Sequence, residues 1–405
     1  MLKTPSDQQH NERLVSSHTQ IGLAFLAFLL IGANDGAFGV LIPSISVHYQ
    51  INKATISLLF LANTVGYLVA AFNNGLLIVK LGERAFLLLG LASLGLSMGT
   101  LVLMPPFLVV LIVFLPVGFG IAVLDAGLNS YIARLPRNTA LLNYLHACYG
   151  TGALLGPFLA STMLALSFGW NSVYLVLAGS STLLFVGVTG AFRNAPKQQE
   201  KASREASSGN KLLRSILRMR VIWLVALFLF CYVGSEHSLG SWSYSFLTEQ
   251  RHAPPLFSGW IVSGYWLGLT LGRITLAWIA QRLGEQRLIQ YCLLGVFGSA
   301  LLIWLFPILP ISALGLCLLG FSLGPIFPTT IALTSRLVSG RLLPSAIGFL
   351  SSLSSIGTAF FPWLVGNLAQ HLSLEILFPY VLLLTLAMFG FWLALQRRST
   401  SRESI

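Results

Sequence analysis

The chain has 405 residues, 55% of them hydrophobic and only 9% charged, with a mean hydropathy of +0.80 and a formal net charge of +12. That composition excludes an ordinary soluble domain, in which about a quarter of the residues are charged. It fits a helical membrane protein, since about 20 consecutive apolar residues cross a bilayer as a helix.

In chain order, residues 1–19 form a polar tail without the basic-then-apolar layout of a signal peptide, so the apolar segment that follows reads as a retained anchor. Six apolar segments come next, at 20–44, 54–79, 85–104, 107–133, 140–166 and 170–192. Residues 193–220 then carry eight basic and two acidic side chains among Ser, Gln and Lys, the composition of a solvated linker. Six more apolar segments occupy 221–247, 257–281, 287–306, 310–335, 344–368 and 374–395, and a short tail closes the chain at 396–405. Short gaps make each helix antiparallel to the next. The expected fold is an all-α integral membrane protein, with twelve transmembrane helices in two six-helix bundles over 20–192 and 221–395.

An even number of spans puts both termini on one side, and 21 of the 24 lysines and arginines fall on that side. The exceptions are Lys53 and Arg251 on the opposite side and Arg273 inside a helix. The positive-inside rule therefore predicts cytoplasmic termini in a plasma membrane, the inner membrane of a bacterial cell. The net charge reads as a topology signal, not as a nucleic-acid footprint.

The chain also repeats at half its length. Lys80-Leu81-Gly82-Glu83 returns as Arg282-Leu283-Gly284-Glu285, an offset of 202 residues. The same offset pairs Gly66 with Gly268, Gly118-Phe119 with Gly320-Phe321, Arg134 with Arg336, and Gly32-Ala33-Asn34-Asp35 with Gly234-Ser235-Glu236-His237. Two halves inserted in one orientation are a known plan for membrane carriers.

No Gly-rich loop ending in Gly-Lys-Ser/Thr, no His-Glu-x-x-His pair and no nucleophile elbow occurs, and the loops are too short to hold an active-site domain. The four cysteines, Cys148, Cys231, Cys292 and Cys317, fall in apolar segments at unrelated spacings and imply neither a disulfide framework nor a metal site. The chain is expected to be neither an enzyme nor a cofactor carrier. What remains is movement of a small molecule across the bilayer, driven by a gradient.

Three acids lie deep in apolar segments: Asp35, Asp125 and Glu236. An acid at the bilayer centre costs roughly 2.5–3.5 kcal/mol on insertion scales, so such groups face a cavity or a partner and suit proton loading. Asn129 lies four residues beyond Asp125 on the same helix face. Asn143 and His146 share a face of the fifth helix at a matching depth, about 13 Å from the basic side at 1.5 Å per residue. Asp125, Asn129, Asn143 and His146 thus form one predicted polar cluster, with a helix-positioning network as the alternative. Asn34-Asp35 and Glu236-His237 occupy equivalent places in the two halves. Arg273 is the one basic residue in a membrane interior, placed to neutralise an acid or to meet an anionic or hydroxyl-rich solute. Trp242, Trp260, Trp266, Tyr244 and Tyr265 fit an interfacial aromatic belt, with Trp242 a candidate to stack on a solute ring. Gly150, Gly152, Gly156-Pro157, Gly324-Pro325 and Pro328 mark either hinges or close packing.

The repeat, the twelve spans, the central basic linker and the loop after the second helix together resemble the major facilitator superfamily. Its loop signature, Gly-x-x-x-Asp-Arg/Lys-x-Gly-Arg/Lys-Arg/Lys, is met here by Gly75, Lys80, Gly82 and Arg84, with Val79 in place of the acid and Glu83 in place of a base. Within the superfamily, four stretches resemble the fucose:proton symporter branch and its relatives. They are Asp125 to Asn129, Asn143 to His146, Gly152 to Pro157, and Gly324 to Thr329. The resemblance implies proton symport of a hexose-like sugar by a carrier that needs no partner chain. Asp125, Asp35 and Glu236 are then the proton-coupling candidates, and Asn34, Asn129, Asn143, His146, His237, Trp242 and Arg273 the substrate-binding ones. A proton/drug antiporter and a non-transporting sensor in a carrier fold are the alternatives.

Overall fold

The computed structural model describes residues 5–135, 138–192, 215–338 and 342–403. Most of the predicted linker, with Lys3, Arg137 and Arg341, lies outside the described residues.

Every long element described is helical, as hydrocarbon demands of a chain that must satisfy its own backbone N–H and C=O groups. The first half comprises α1 (Pro5–Tyr49), α2 (Leu58–Leu81), α3 (Glu83–Val102), α4 (Phe107–Ala133), α5 (Asn138–Ala165) and α6 (Trp170–Ala191). The second comprises α7 (Arg220–Gln250), α8 (Pro255–Leu283), α9 (Glu285–Leu305), α10 (Leu309–Leu323 and Ile326–Leu337), α11 (Leu343–Leu372) and α12 (Leu377–Glu403). Ten of these spans are long and apolar enough to cross a membrane among the described residues. The helices overrun the predicted apolar windows, since the backbone stays helical into the polar boundary. Asn52 caps a short helical turn, Lys53–Ile56, that leads into α2; its Oδ1 accepts the Thr55 N–H at 2.8 Å.

Packing repeats between the halves. In the first half α1 lies on α5, α2 on α4, and α3 on α4 and α6; in the second α7 lies on α11, α8 on α10, and α9 on α10 and α12. The contacts match residue for residue. A Cβ on Gly66 would sit 1.8 Å from the Leu115 carbonyl oxygen, and one on Gly268 would sit 2.3 Å from that of Cys317. Gly118 meets the Asn63 carbonyl at 1.8 Å and Gly320 that of Tyr265 at 2.1 Å. All four pairs keep the offset of 202.

The Lys-Leu-Gly-Glu and Arg-Leu-Gly-Glu tetrads are one-residue turns. Gly82 and Gly284 adopt φ of 78° and 80°, a region that favours glycine, and each ends one helix as the next begins. The following acid anchors each turn: Glu83 pairs with Arg134, and Glu285 pairs with Arg336 at 2.9 Å. Glu83 therefore serves as the acidic partner of a latch within its own half.

The predicted single helix over 310–335 is two. It breaks at Gly324-Pro325, where a Cβ on Gly324 would lie 2.3 Å from the Leu269 carbonyl oxygen of α8. One turn on, Pro328 has no N–H to give the Gly324 carbonyl.

Candidate functional site

A cavity of about 970 Å³ lies between the halves, walled by α1, α2, α4 and α5 on one side and by α7, α8, α10 and α11 on the other. Its lining residues near the chain termini, Asn143, His146 and Ala147 on α5 and Ile274 on α8, are exposed. At the far end Leu59, Phe60 and Phe114 are buried. The cavity therefore opens toward the end that carries the termini. Phe38 closes its floor with Phe60 and Phe114, each ring 5.2 Å away. Beyond the floor Lys53 bridges the halves: its Nζ lies 2.8 Å from Glu249 on α7, and its backbone N–H donates to Gln370 on α11 at 3.0 Å.

Glycines set the depth of the first acid. A Cβ on Gly32 or Gly36 of α1 would lie 2.0 or 2.2 Å from a carbonyl oxygen of α5, and one on Gly152 or Gly156 of α5 would lie 2.0 or 2.4 Å from one of α1. At that separation the Tyr149 hydroxyl of α5 donates to Asp35 Oδ2 of α1 at 2.9 Å, and Asn34 Nδ2 donates to Oδ1 at 3.2 Å. Asp125 is built alike: Tyr67 of α2 donates to Oδ2 at 3.2 Å and Asn129 donates to Oδ1 at 2.8 Å. His146 lies within electrostatic reach of Asp125, and His237 within that of Asp35.

The second half presents a different unit. Arg273 Nη2 reaches Glu236 Oε1 at 3.2 Å, and its Nε donates to the Gly324 carbonyl at 3.3 Å, the oxygen that Pro328 leaves without a helical donor. Glu236 is 7% exposed in this pair, and Tyr265 donates to its backbone carbonyl at 2.9 Å.

Of the predicted site residues, Asn34, Asp35, Asp125, Asn143, His146, Glu236, His237 and Arg273 share the one cavity. Asn129 stands behind Asp125 and holds it. Trp242 lies outside this cavity: it is fully buried, and its Nε1 donates to the Pro362 carbonyl at 2.9 Å. Its ring packs 6.3 Å from Phe60, behind the cavity floor, and borders a smaller cavity beyond it with Lys53, Glu249 and Gln370. Sequence reasoning missed Tyr67, Tyr149 and Tyr232. Tyr149 lies three residues after His146 and Tyr232 four before Glu236, so a helical-face search from those residues would have reached both.

Two six-helix bundles around a largely apolar cavity that holds a few charged side chains and opens at one end define a membrane carrier for a small molecule. The family model described as Major Facilitator Superfamily matches residues 24–307 and 230–404, and the chain belongs to that superfamily. It is thus a multi-pass membrane transporter and not an enzyme. It is 25% identical over 406 residues to Bypass of stop codon protein 6 of Saccharomyces cerevisiae, covering 91% of this chain and 80% of that one. It is 24% identical over 358 residues to the glucose/mannose transporter GlcP of Bacillus subtilis, covering 85% and 86%. Among solved structures, a bacterial homolog of the human lysosomal transporter Spinster superposes with a TM-score of 0.80 at 14% identity, covering 94% of this chain and 97% of that one. The E. coli fucose:proton symporter superposes with a TM-score of 0.63 at 18% identity, covering 93% and 98%. These likenesses establish the fold.

Proposed function

We propose that the protein is a proton-coupled symporter of a small polar solute of the sugar class, working as a monomer in the plasma membrane with cytoplasmic termini. One observation carries the reading: two carboxylates, Asp35 and Asp125, each held by a tyrosine hydroxyl, face a single cavity between the halves. An ionised acid resists transfer through hydrocarbon, whereas a protonated one does not. Loading of Asp125, with Asp35, neutralises the first-half wall, and the halves then rock together around the bound solute. Asn143, His146, Asn34 and His237 line the path of that solute. Glu236, fixed by Arg273, holds the second-half wall and is a weaker candidate for proton loading than the sequence alone implied.

The sugar class is favoured by the likeness to a glucose/mannose transporter and to a fucose:proton symporter. Gly152 and Gly156 have a packing role against α1, which accounts for them without an export function. The test is internal pH in proteoliposomes while hexoses, pentoses or cationic drugs are added outside. Acidification evoked by sugars supports symport, and a signal confined to drugs contradicts it.

A further inference from the structure

A residue can meet its own repeat mate only beside the axis that relates two halves. Gly39 of α1 and Ser241 of α7 are such mates, 202 residues apart. A Cβ on Gly39 would lie 2.8 Å from the Ser241 carbonyl oxygen and 2.7 Å from that of Gly240. About one helical turn earlier on each helix stand the mates Asp35 and His237, both lining the cavity on the open side of that crossing. Equivalent positions thus carry an acid in one half and a base in the other.

Other charged groups of the cavity are matched within one half. Asp125 and His146 both belong to the first, Glu236 and Arg273 to the second, so those attractions travel with their bundle. Asp35 and His237 are within electrostatic reach of each other from opposite halves, so theirs changes when the halves move. Each is oriented by its own bundle. Tyr149 and Asn34 donate to Asp35, and His237 Nδ1 lies 3.2 Å from the Val233 carbonyl four residues back. A carbonyl only accepts, so Nδ1 carries the hydrogen there, and Nε2 is the nitrogen left to take a proton. Besides the tyrosines, the titratable groups that share the cavity with His237 are Asp35, Asp125, His146, Glu236 and Arg273. Among the described residues, the cavity walls of α10 and α11 carry none.

We propose that Asp35 and His237 form a proton-operated tie between the halves, with His237 a positioning residue for coupling. The inference rests on the symport reading and adds what proton uptake does to the α1–α7 crossing. Ionised Asp35 attracts the imidazolium and holds the crossing shut. Once Asp35 takes a proton the attraction is lost, and the crossing is free to part on the Lys53 side. The loaded acid thus turns the carrier toward the side from which its proton came.

The test is labelling of a cysteine placed at Ser241 by an impermeant reagent added on the Lys53 side, without solute, across a pH series. Labelling at each pH is normalised to that of the unfolded chain. Both members of the pair are partly exposed, so wild-type labelling should rise only roughly threefold from its minimum as acid neutralises Asp35. Asp35→Asn should label at the raised level throughout. His237→Asn, which keeps a donor for the Val233 carbonyl and removes Nε2, should do the same. The exchanged variant, Asp35→His with His237→Asp, should bring labelling back down near neutral pH, which a misfolded chain cannot do. A His237→Asn response equal to wild type overturns the tie and leaves Asp35 and symport standing. An exchanged variant as open as the single ones overturns it as well. So does wild-type labelling that ignores pH, whereas the symport reading falls only if solute evokes no acidification in proteoliposomes, whatever the labelling shows.

Discussion

The Tyr149 hydroxyl lies 2.9 Å from Asp35 Oδ2, joining α5 to α1 where Gly32, Gly36, Gly152 and Gly156 bring the two backbones together. The helix crossing thus fixes the acid and its donor at once. Tyr149→Phe removes the donor and leaves the ring. The expected cost is about 1–3 kcal/mol in stability, the penalty of an acceptor left short of a partner. Solute-driven proton uptake should weaken in parallel, which a pH dye in proteoliposomes reads directly.

At the closed end the Lys53–Glu249 pair joins the halves at 2.8 Å. Both side chains are about one-third exposed, so the pair should contribute no more than about 1 kcal/mol, reduced further by salt. Even that shifts a two-state equilibrium about fivefold. Lys53→Glu should raise labelling of a cysteine placed at Ser241 by an impermeant reagent added on the Lys53 side. Combining Lys53→Glu with Glu249→Lys should return labelling toward wild type. No recovery in the double variant would separate the pair from gating.

Among the described residues, Arg273 and Glu236 form the one ion pair in the cavity wall. Arg273→Met strands a buried carboxylate and also strips the Gly324 carbonyl of its donor; the expected loss is about 3 kcal/mol. Adding Glu236→Gln should recover a good part of it. A melting series on the single and double variants checks this, and the absence of recovery would mean that Arg273 acts mainly through Gly324.

Gly118 and Gly320 should behave as equivalents. A Cβ at either would lie about 2 Å or less from a backbone carbonyl oxygen of the facing helix, which cannot retreat without moving that helix. Alanine at either position should sharply reduce folded protein in detergent, measured by monodisperse yield. Alanine at Gly99 or Gly298, where the space is open, should not.

The offset of 202 was the sequence feature that carried furthest. It anticipated which helices pack alike, and the two glycine turns and their two acid–arginine pairs are its direct consequence. Asp125 with Asn129 was legible because spacing of four on one helix is a local rule. The tyrosine partners were not, because Tyr67–Asp125 and Tyr149–Asp35 join different helices, and nothing local fixes how α2 lies on α4 or α1 on α5. The place of Trp242 was hidden for the same reason: an aromatic near a helix end reads as interfacial, and only the fold brings it to the Pro362 carbonyl of α11. Break and bond in α10 were half visible, since Pro328 frees a carbonyl by its covalent structure, while the arrival of Arg273 required the fold.

The most direct test compares two fluxes in Asp125→Asn proteoliposomes: solute accumulation driven by a proton gradient, and solute exchange at equal pH. A neutral amide keeps the shape of the site but cannot release a proton. The account predicts that accumulation is lost while exchange persists. Accumulation at the wild-type rate in Asp125→Asn would contradict it and remove Asp125 from the coupling path.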